Sequence, residues 1–278
     1  MTLVAERRPE DATRPPRGST LEVRGVSKEF PRRVGKKSTD VEMVPALAPV
    51  DMIARPGELV SIVGPSGCGK STLFGIIAGL EEPTDGRILI DGKDRSGETG
   101  LVGYMLQKDM LMPWRTILSN VTLGLEVQGV KKEHAVAAAL PLLEEYGLGG
   151  YTNAKPAQLS GGMRQRAALL RTLLFNRQIM LLDEPFGALD AQTRLQMQLW
   201  LLEVQAAFHK TIVFVTHDID EAVLLSDRIY VMQGRPGGVV DEIHVDLPKP
   251  RGLDVIAEPG YGEARDRVRH LLMTDGSH

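Results

Sequence analysis

The chain has 278 residues, 42% of them hydrophobic, enough for one sizeable core with a subdomain. A net charge of −3 gives no footing for general nucleic-acid binding, and a single cysteine excludes an internal disulfide framework. No apolar run approaches the ~18–20 residues that span a bilayer, so any link to a membrane is expected to go through a partner.

Residues 1–18 carry Arg7, Arg8, Arg14 and Arg17 among Pro9, Pro15 and Pro16. This reads as a disordered lead-in without the apolar stretch of a signal peptide. Leu21, Val23 and Val26 alternate with polar residues and predict an edge strand. Residues 31–39 are basic and turn-rich, an expected loop. Residues 44–53 read as a returning antiparallel strand, weakened by Pro45 and Pro49. Residues 59–63 form an apolar, β-branched run typical of a buried strand, and a helix-forming run follows at 73–80. Asp85-Gly86 and Asp91-Gly92 bracket a short strand at 87–90. Another buried strand is expected at 101–106.

From 115 to about 174 the pattern turns helical, an inserted segment in which Pro141 is expected to kink or bound a helix. Strands at 179–182, 211–215, 228–232 and 239–245 alternate with helices at 191–208 and 218–225. A last amphipathic helix is expected at 260–273. This alternation argues for an α/β fold with a parallel sheet, helices on both faces and functional groups at the carboxyl ends of the strands.

Between the strand at 59–63 and the following helix lie Gly64, Pro65, Ser66, Gly67, Cys68, Gly69, Lys70, Ser71 and Thr72. The spacing is that of a phosphate-binding P-loop. Glycines let successive backbone N–H groups turn inward, and the helix N-terminus offers unpaired donors to the same anion. Lys70 would reach the β- and γ-phosphates of ATP, and the Ser71 hydroxyl would ligate Mg²⁺. The strand at 179–182 ends in Asp183 and Glu184. In a P-loop enzyme the first stands beside Mg²⁺ and the second faces the γ-phosphate, where it orients or deprotonates water. Ser160, Gly161 and Gly162 precede a second apolar helix and form another potential anion site. One chain with two phosphate-facing helix ends needs a second copy to bring both to one nucleotide.

With Leu159-Ser-Gly-Gly-Met163 followed by Arg164-Gln-Arg166, the chain resembles the ATP-binding-cassette (ABC) ATPases from about 21 to 247. The resemblance implies a P-loop ABC core with a parallel sheet, an antiparallel β subdomain and a helical insertion. The expected boundaries are 19–247 for the ATPase domain, about 115–174 for the helical part and 248–278 for a C-terminal extension. It further implies that Gln107 contacts the metal and the attacking water, and that Asp190, after Gly187-Ala-Leu, reaches across a dimer interface. His217 would contact the γ-phosphate. Phe30 falls where the family stacks an aromatic on adenine, although it also reads as a core or loop aromatic.

The apolar run Met110-Leu-Met-Pro-Trp114 lies where ABC transporters meet a membrane subunit, so Met110, Leu111, Met112 and Trp114 are expected permease contacts. That run, Arg235-Pro-Gly and Asp246-Leu-Pro-Lys-Pro-Arg251 are similar to the nitrate/sulfonate/taurine importer subgroup. The implied assembly is a homodimer beneath a permease at the cytoplasmic face, served indirectly by an extracytoplasmic solute-binding protein. The alternatives are another importer subgroup and a soluble, non-transport ABC ATPase.

Overall fold

A computed structural model describes residues 18–33, 41–175 and 177–274. The expected lead-in therefore lies outside the described residues up to 17, as do 34–39 of the expected basic loop; its first residues, 31–33, instead continue the first strand. In chain order, strands β1 (Leu21–Arg33) and β2 (Val41–Ala54) precede β3 (Leu59–Val63), which leads into helix α1 (Lys70–Ile77). Strands β4 (Asp85–Ile90), β5 (Lys93–Asp94) and β6 (Gly103–Met105) follow. The helical stretch then comprises α2 (Ile117–Val121), α3 (Leu123–Val127), α4 (Lys132–Glu145) and α5 (Gly161–Leu174). The chain continues through β7 (Ile179–Asp183), α6 (Ala191–Phe208), β8 (Thr211–Thr216) and α7 (Ile219–Leu225). It closes with β9 (Arg228–Gln233), β10 (Gly238–His244) and α8 (Pro259–Thr274).

The strands form two sheets. One has the order β2-β1-β4-β5 and is antiparallel throughout; the other has the order β10-β9-β3-β8-β7-β6 and is parallel except at β9–β10. The expected edge strand β1 is instead flanked on both sides. Its alternation has another cause: Leu21, Val23 and Val26 face the core while the intervening residues face outward, as in an antiparallel sheet with one wet face. The edges are β2 and β5, and the prolines of β2 are accommodated where its pairing with β1 slips: Pro49 falls between the pairs Val26–Val50 and Lys28–Leu47, and Pro45 at the next register shift, opposite Glu29.

The large sheet is buried on both faces, and the two-residue period sorts its side chains. Leu59, Val63, Ile212, Phe214, Met180 and Leu182 join the core under α5 and α6. Val60, Ile62, Val213, Val215, Ile179 and Leu181 join a second core around α1, shared with Leu21 and Val50 of the small sheet. Pro141 does not bound its helix, because α4 runs on to Glu145. Both Pro141 and Ala137, whose carbonyl loses its usual donor, lie on the exposed side, so water can serve that carbonyl. Ala135, Ala139 and Leu143 anchor the opposite face.

The C-terminal segment is fastened to the large sheet. Val255, Tyr261, Ala264 and Val268 enter the same core as Leu225 and Ile229. Arg251 donates to the carbonyls of Leu225 and Val245, each at 3.0 Å, and pairs with Asp227 at 3.2 Å.

The β9–β10 turn lies directly against the loop that follows β3. A Cβ on Gly64 would stand 2.2 Å from the Met232 carbonyl oxygen, and one on Gly237 would stand 1.7 Å from that of Cys68. The same turn is tied to β2: Gly237 donates to Ala46 at 3.3 Å, and Ala48 donates to Gly237 at 2.8 Å. Neither neighbour is a flexible side-chain tip, so overpacking cannot be relieved cheaply. Gly237→Ala is expected to cost about 1–3 kcal/mol and to lower the melting temperature by at least about 2 °C in calorimetry. An unchanged melting temperature would mean the turn moves freely off the loop.

Candidate nucleotide site

The carboxyl ends of β3, β7 and β8 converge on one cleft of about 760 Å³, within the range of small-molecule sites. Its floor is the loop between β3 and α1. Gly67 (φ 82°) and Gly69 (φ 91°) adopt the left-handed conformation that curls this loop, and Gly69 caps α1 without a side-chain hydrogen bond. No acidic residue occupies the first turn of α1, so its N-terminal donors and partial positive charge remain available to an anion. Lys70 is buried, and its Nζ donates to the carbonyls of Gly64 and Pro65, both at 2.8 Å.

The two acids close one wall. Asp183 is buried at the end of β7, and Ser71 Oγ donates to its Oδ2 at 3.1 Å. Burial raises the Asp183 carboxyl above the ordinary range; the Ser71 hydrogen bond opposes this, the Glu184 charge adds to it and Lys70 again opposes it. A hydroxyl and a carboxylate so placed are hard oxygen donors that fit Mg²⁺, which takes few protein ligands and completes its shell with phosphate and water.

Glu184 has φ 48°, a costly conformation for a residue with a side chain. Three backbone contacts hold it there. Its N–H donates to Val215 at 3.0 Å, while its carbonyl accepts from Gln165 Nε2 at 3.0 Å and from the Gly187 N–H at 3.3 Å. The result is a carboxylate aimed between two other polar groups. Gln107 Nε2 donates to its Oε2 at 3.0 Å, and His217 Nδ1 lies 3.6 Å from its Oε1.

Lys70, Ser71, Gln107, Asp183 and Glu184 thus share the cleft, and His217 joins through Glu184. The arrangement can bind a polyphosphate through loop and helix donors and direct a water molecule from the Glu184 carboxylate.

Other residues singled out by sequence lie elsewhere. Ser160 caps α5, accepting from the Met163 N–H at 3.3 Å, and neither it nor Gly161 nor Gly162 lines the cleft. Asp190 caps α6; the Thr193 N–H at 3.0 Å holds its carboxyl below the ordinary range. Phe30 is not in the lining either. Lys28 Nζ stands 5.0 Å from its ring centre, while Arg32 and Val44 beside it do line the cleft. Leu111 is a correction: it is buried in the main core beside Ile117, because one member of an apolar run must fill the space under α2. Met110 and Trp114 are exposed, Trp114 at 70%, and Met112 is half-buried. Sequence reading missed the roles of Arg235 in the cleft wall and Gln165 behind Glu184. Arg235-Pro-Gly was visible as a motif, but only the fold brings it to the P-loop.

The sequence model described as ABC transporter matches residues 47–187. An uncharacterized ABC transporter ATP-binding protein of Methanocaldococcus jannaschii is 48% identical over 229 residues, 82% of this chain and 85% of its own length. The nitrate import ATP-binding protein NrtD of Synechocystis is 38% identical over 258 residues, 91% of this chain and 94% of its own. The bicarbonate transport ATP-binding protein CmpC of Synechococcus elongatus is 40% identical over 254 residues, which is 90% of this chain but 37% of that longer protein. Among solved structures, the dimeric post-hydrolysis state of an ATP-binding cassette bound to ADP and Pi superposes with TM-score 0.72 at 33% identity. That match covers 81% of this chain and 99% of the other. With this family model over residues 47–187, relatives of this similarity and the same α/β fold with its antiparallel subdomain, this chain belongs to the ABC transporter family as an ATP-binding protein.

Proposed function

We propose that this chain is the ATP-hydrolysing subunit of an ABC importer, working as a homodimer beneath an integral membrane permease. The observation that carries the catalytic part is Glu184, fixed in a strained conformation at the wall of the P-loop cleft, between Gln107 and His217. In this reading Gly64 to Thr72 hold the ATP phosphates, Lys70 leaves its carbonyl partners for the β- and γ-oxygens, and Ser71 and Asp183 would hold Mg²⁺. Mg²⁺ would supply charge neutralisation at the phosphates. Glu184 orients and deprotonates the attacking water, Gln107 fixes the carboxylate, and His217 monitors the γ-phosphate side.

The position of α5 supports a dimer. Its N-terminal end, with Ser160, Gly161 and Gly162, does not line the cleft of its own chain, so a second copy would supply it. Asp190 would lie at the same interface. The dimeric cassette bound to ADP and Pi supports this reading.

Met110 and Trp114 provide the permease contact. Nearby, an apolar groove of about 350 Å³ is lined by Leu80, Tyr104, Leu123, Val127 and Phe175. Arg171 borders the groove and donates to the carbonyls of Met110 at 2.8 Å and Asp109 at 2.7 Å, joining groove and loop into one surface. Among the described residues no helix is long and apolar enough to cross a membrane. Peripheral attachment at the cytoplasmic face would therefore run through this surface. Likeness to the nitrate import protein NrtD and the bicarbonate transport protein CmpC favours a small anionic solute.

Co-expression with the permease tests the assignment: the ATPase should co-purify with it, and failure to associate would remove the importer reading. Trp114→Ala with Met110→Ala is expected to weaken that co-purification at least tenfold, since a buried aromatic anchor contributes about 2 kcal/mol or more. The ATPase rate of the isolated subunit should stay within about twofold, because neither side chain lines the cleft. Retained association would place the permease contact elsewhere.

A further inference from the structure

Arg235, in the turn between β9 and β10, forms part of the cleft wall. Its guanidinium leans over the P-loop. A Cβ built on Gly67 would lie 3.0 Å from Nη2, 3.6 Å from Cζ and 3.7 Å from Nε. The side chain is exposed and has no ion-pair or hydrogen-bond partner among the described residues. Arg32, also in the lining, differs in being paired with Glu42 at 3.0 Å. The turn beneath Arg235 is also fixed. Gly237 packs on the Cys68 carbonyl and exchanges backbone hydrogen bonds with β2, and Gly64 packs on Met232. A cation without a carboxylate partner is thus mounted on a fixed turn, beside Gly67 and in the wall of the cleft that the phosphate loop lines.

We propose that Arg235 is a nucleotide-binding residue whose guanidinium donates to non-bridging oxygens of the polyphosphate held by the P-loop. This rests on the reading that residues 64–72 hold those phosphates. A planar guanidinium matches a phosphate edge with two parallel N–H donors, which an ammonium cannot do. Arg235 also supplies positive charge where Asp183 and Glu184 bring negative charge to the same cleft. Of the other two cations in the lining, Arg32 is paired with Glu42 and Lys70 lies within the loop itself.

The test uses the full chain and titration calorimetry, with ATP and with inorganic tripolyphosphate as probes, in Arg235→Ala, Arg235→Lys and Lys70→Ala. Arg235→Ala is expected to weaken both probes about tenfold and to make ATP affinity less sensitive to added salt. Arg235→Lys should recover part of the loss. Because the side chain is exposed and unpaired, the melting temperature of Arg235→Ala should match that of the parent; were it lower, Arg235→Gln replaces it in the same titrations. Loss of ATP affinity with unchanged tripolyphosphate affinity would put the guanidinium on the base and overturn the assignment. Parental affinity for both probes in Arg235→Ala, alongside loss in Lys70→Ala, would overturn the role of Arg235 alone. Parental ATP affinity in Lys70→Ala would instead remove the underlying P-loop reading.

Discussion

Glu184→Gln is expected to bind ATP normally, to lose about 10²–10⁴-fold in turnover, and to accumulate as an ATP-bound dimer. The substitution keeps the length and shape of the side chain, and its carbonyl oxygen can still accept from Gln107 Nε2. The backbone contacts from Val215, Gln165 and Gly187 are untouched, so the strained φ of 48° persists. What disappears is the capacity to take a proton from water. Binding and chemistry should therefore separate cleanly, with ATP affinity retained in calorimetry and phosphate release lost. With hydrolysis blocked, ATP bound preferentially by the closed pair continues to favour that pair, which size-exclusion chromatography with ATP would register. Turnover at the parental rate would show that Glu184 is not the base.

Lys70→Ala is expected to weaken ATP binding by about 2–5 kcal/mol, which is roughly 30-fold to several thousand-fold, and with it to abolish measurable hydrolysis. The buried ammonium already sits within the loop, satisfied by the carbonyls of Gly64 and Pro65. On nucleotide binding it exchanges those neutral acceptors for charged phosphate oxygens, and charge-assisted hydrogen bonds are the stronger ones. Truncation removes this exchange and also leaves two loop carbonyls without their donor. Calorimetric titration with ATP measures the loss directly, and affinity within threefold of the parent would contradict the role given to Lys70.

Much of the fold was legible because its signals are local. The runs at 59–63, 179–182 and 211–215 are short, apolar and bounded by polar turns, and all are strands of the buried sheet. The helix expected at 191–208 coincides with α6, whose cap, Asp190, stands immediately before it. The position of β1 was not legible, since a one-sided hydrophobic pattern is the same for an edge strand and for a flanked strand with one wet face. The continuity of α4 through Pro141 depended on which side of the helix faces water, a property of packing rather than of the local sequence.

The site divides in the same way. The P-loop, Asp183 and Glu184 were readable because spacing carries their geometry, and the cleft contains them. Arg235 lies far along the chain from Gly67, and only the placement of β9 beside β3 brings the two together. Leu111 was misplaced because composition shows that a segment is apolar without showing which of its members turns inward. Gln165 was missed for a related reason: its contact is with the Glu184 backbone, so no motif of paired functional groups announces it.

The α5 N-terminus stands apart from the cleft of its own chain, and this bears on kinetics. If catalysis requires that end from another molecule, the rate of the free subunit should rise with the square of protein concentration at high dilution. Two subunits docked on one permease would escape this second-order regime, because tethering replaces bulk concentration with an effective local one in the millimolar range. Assembly alone would then switch the motor on, keeping undocked copies from consuming ATP idly.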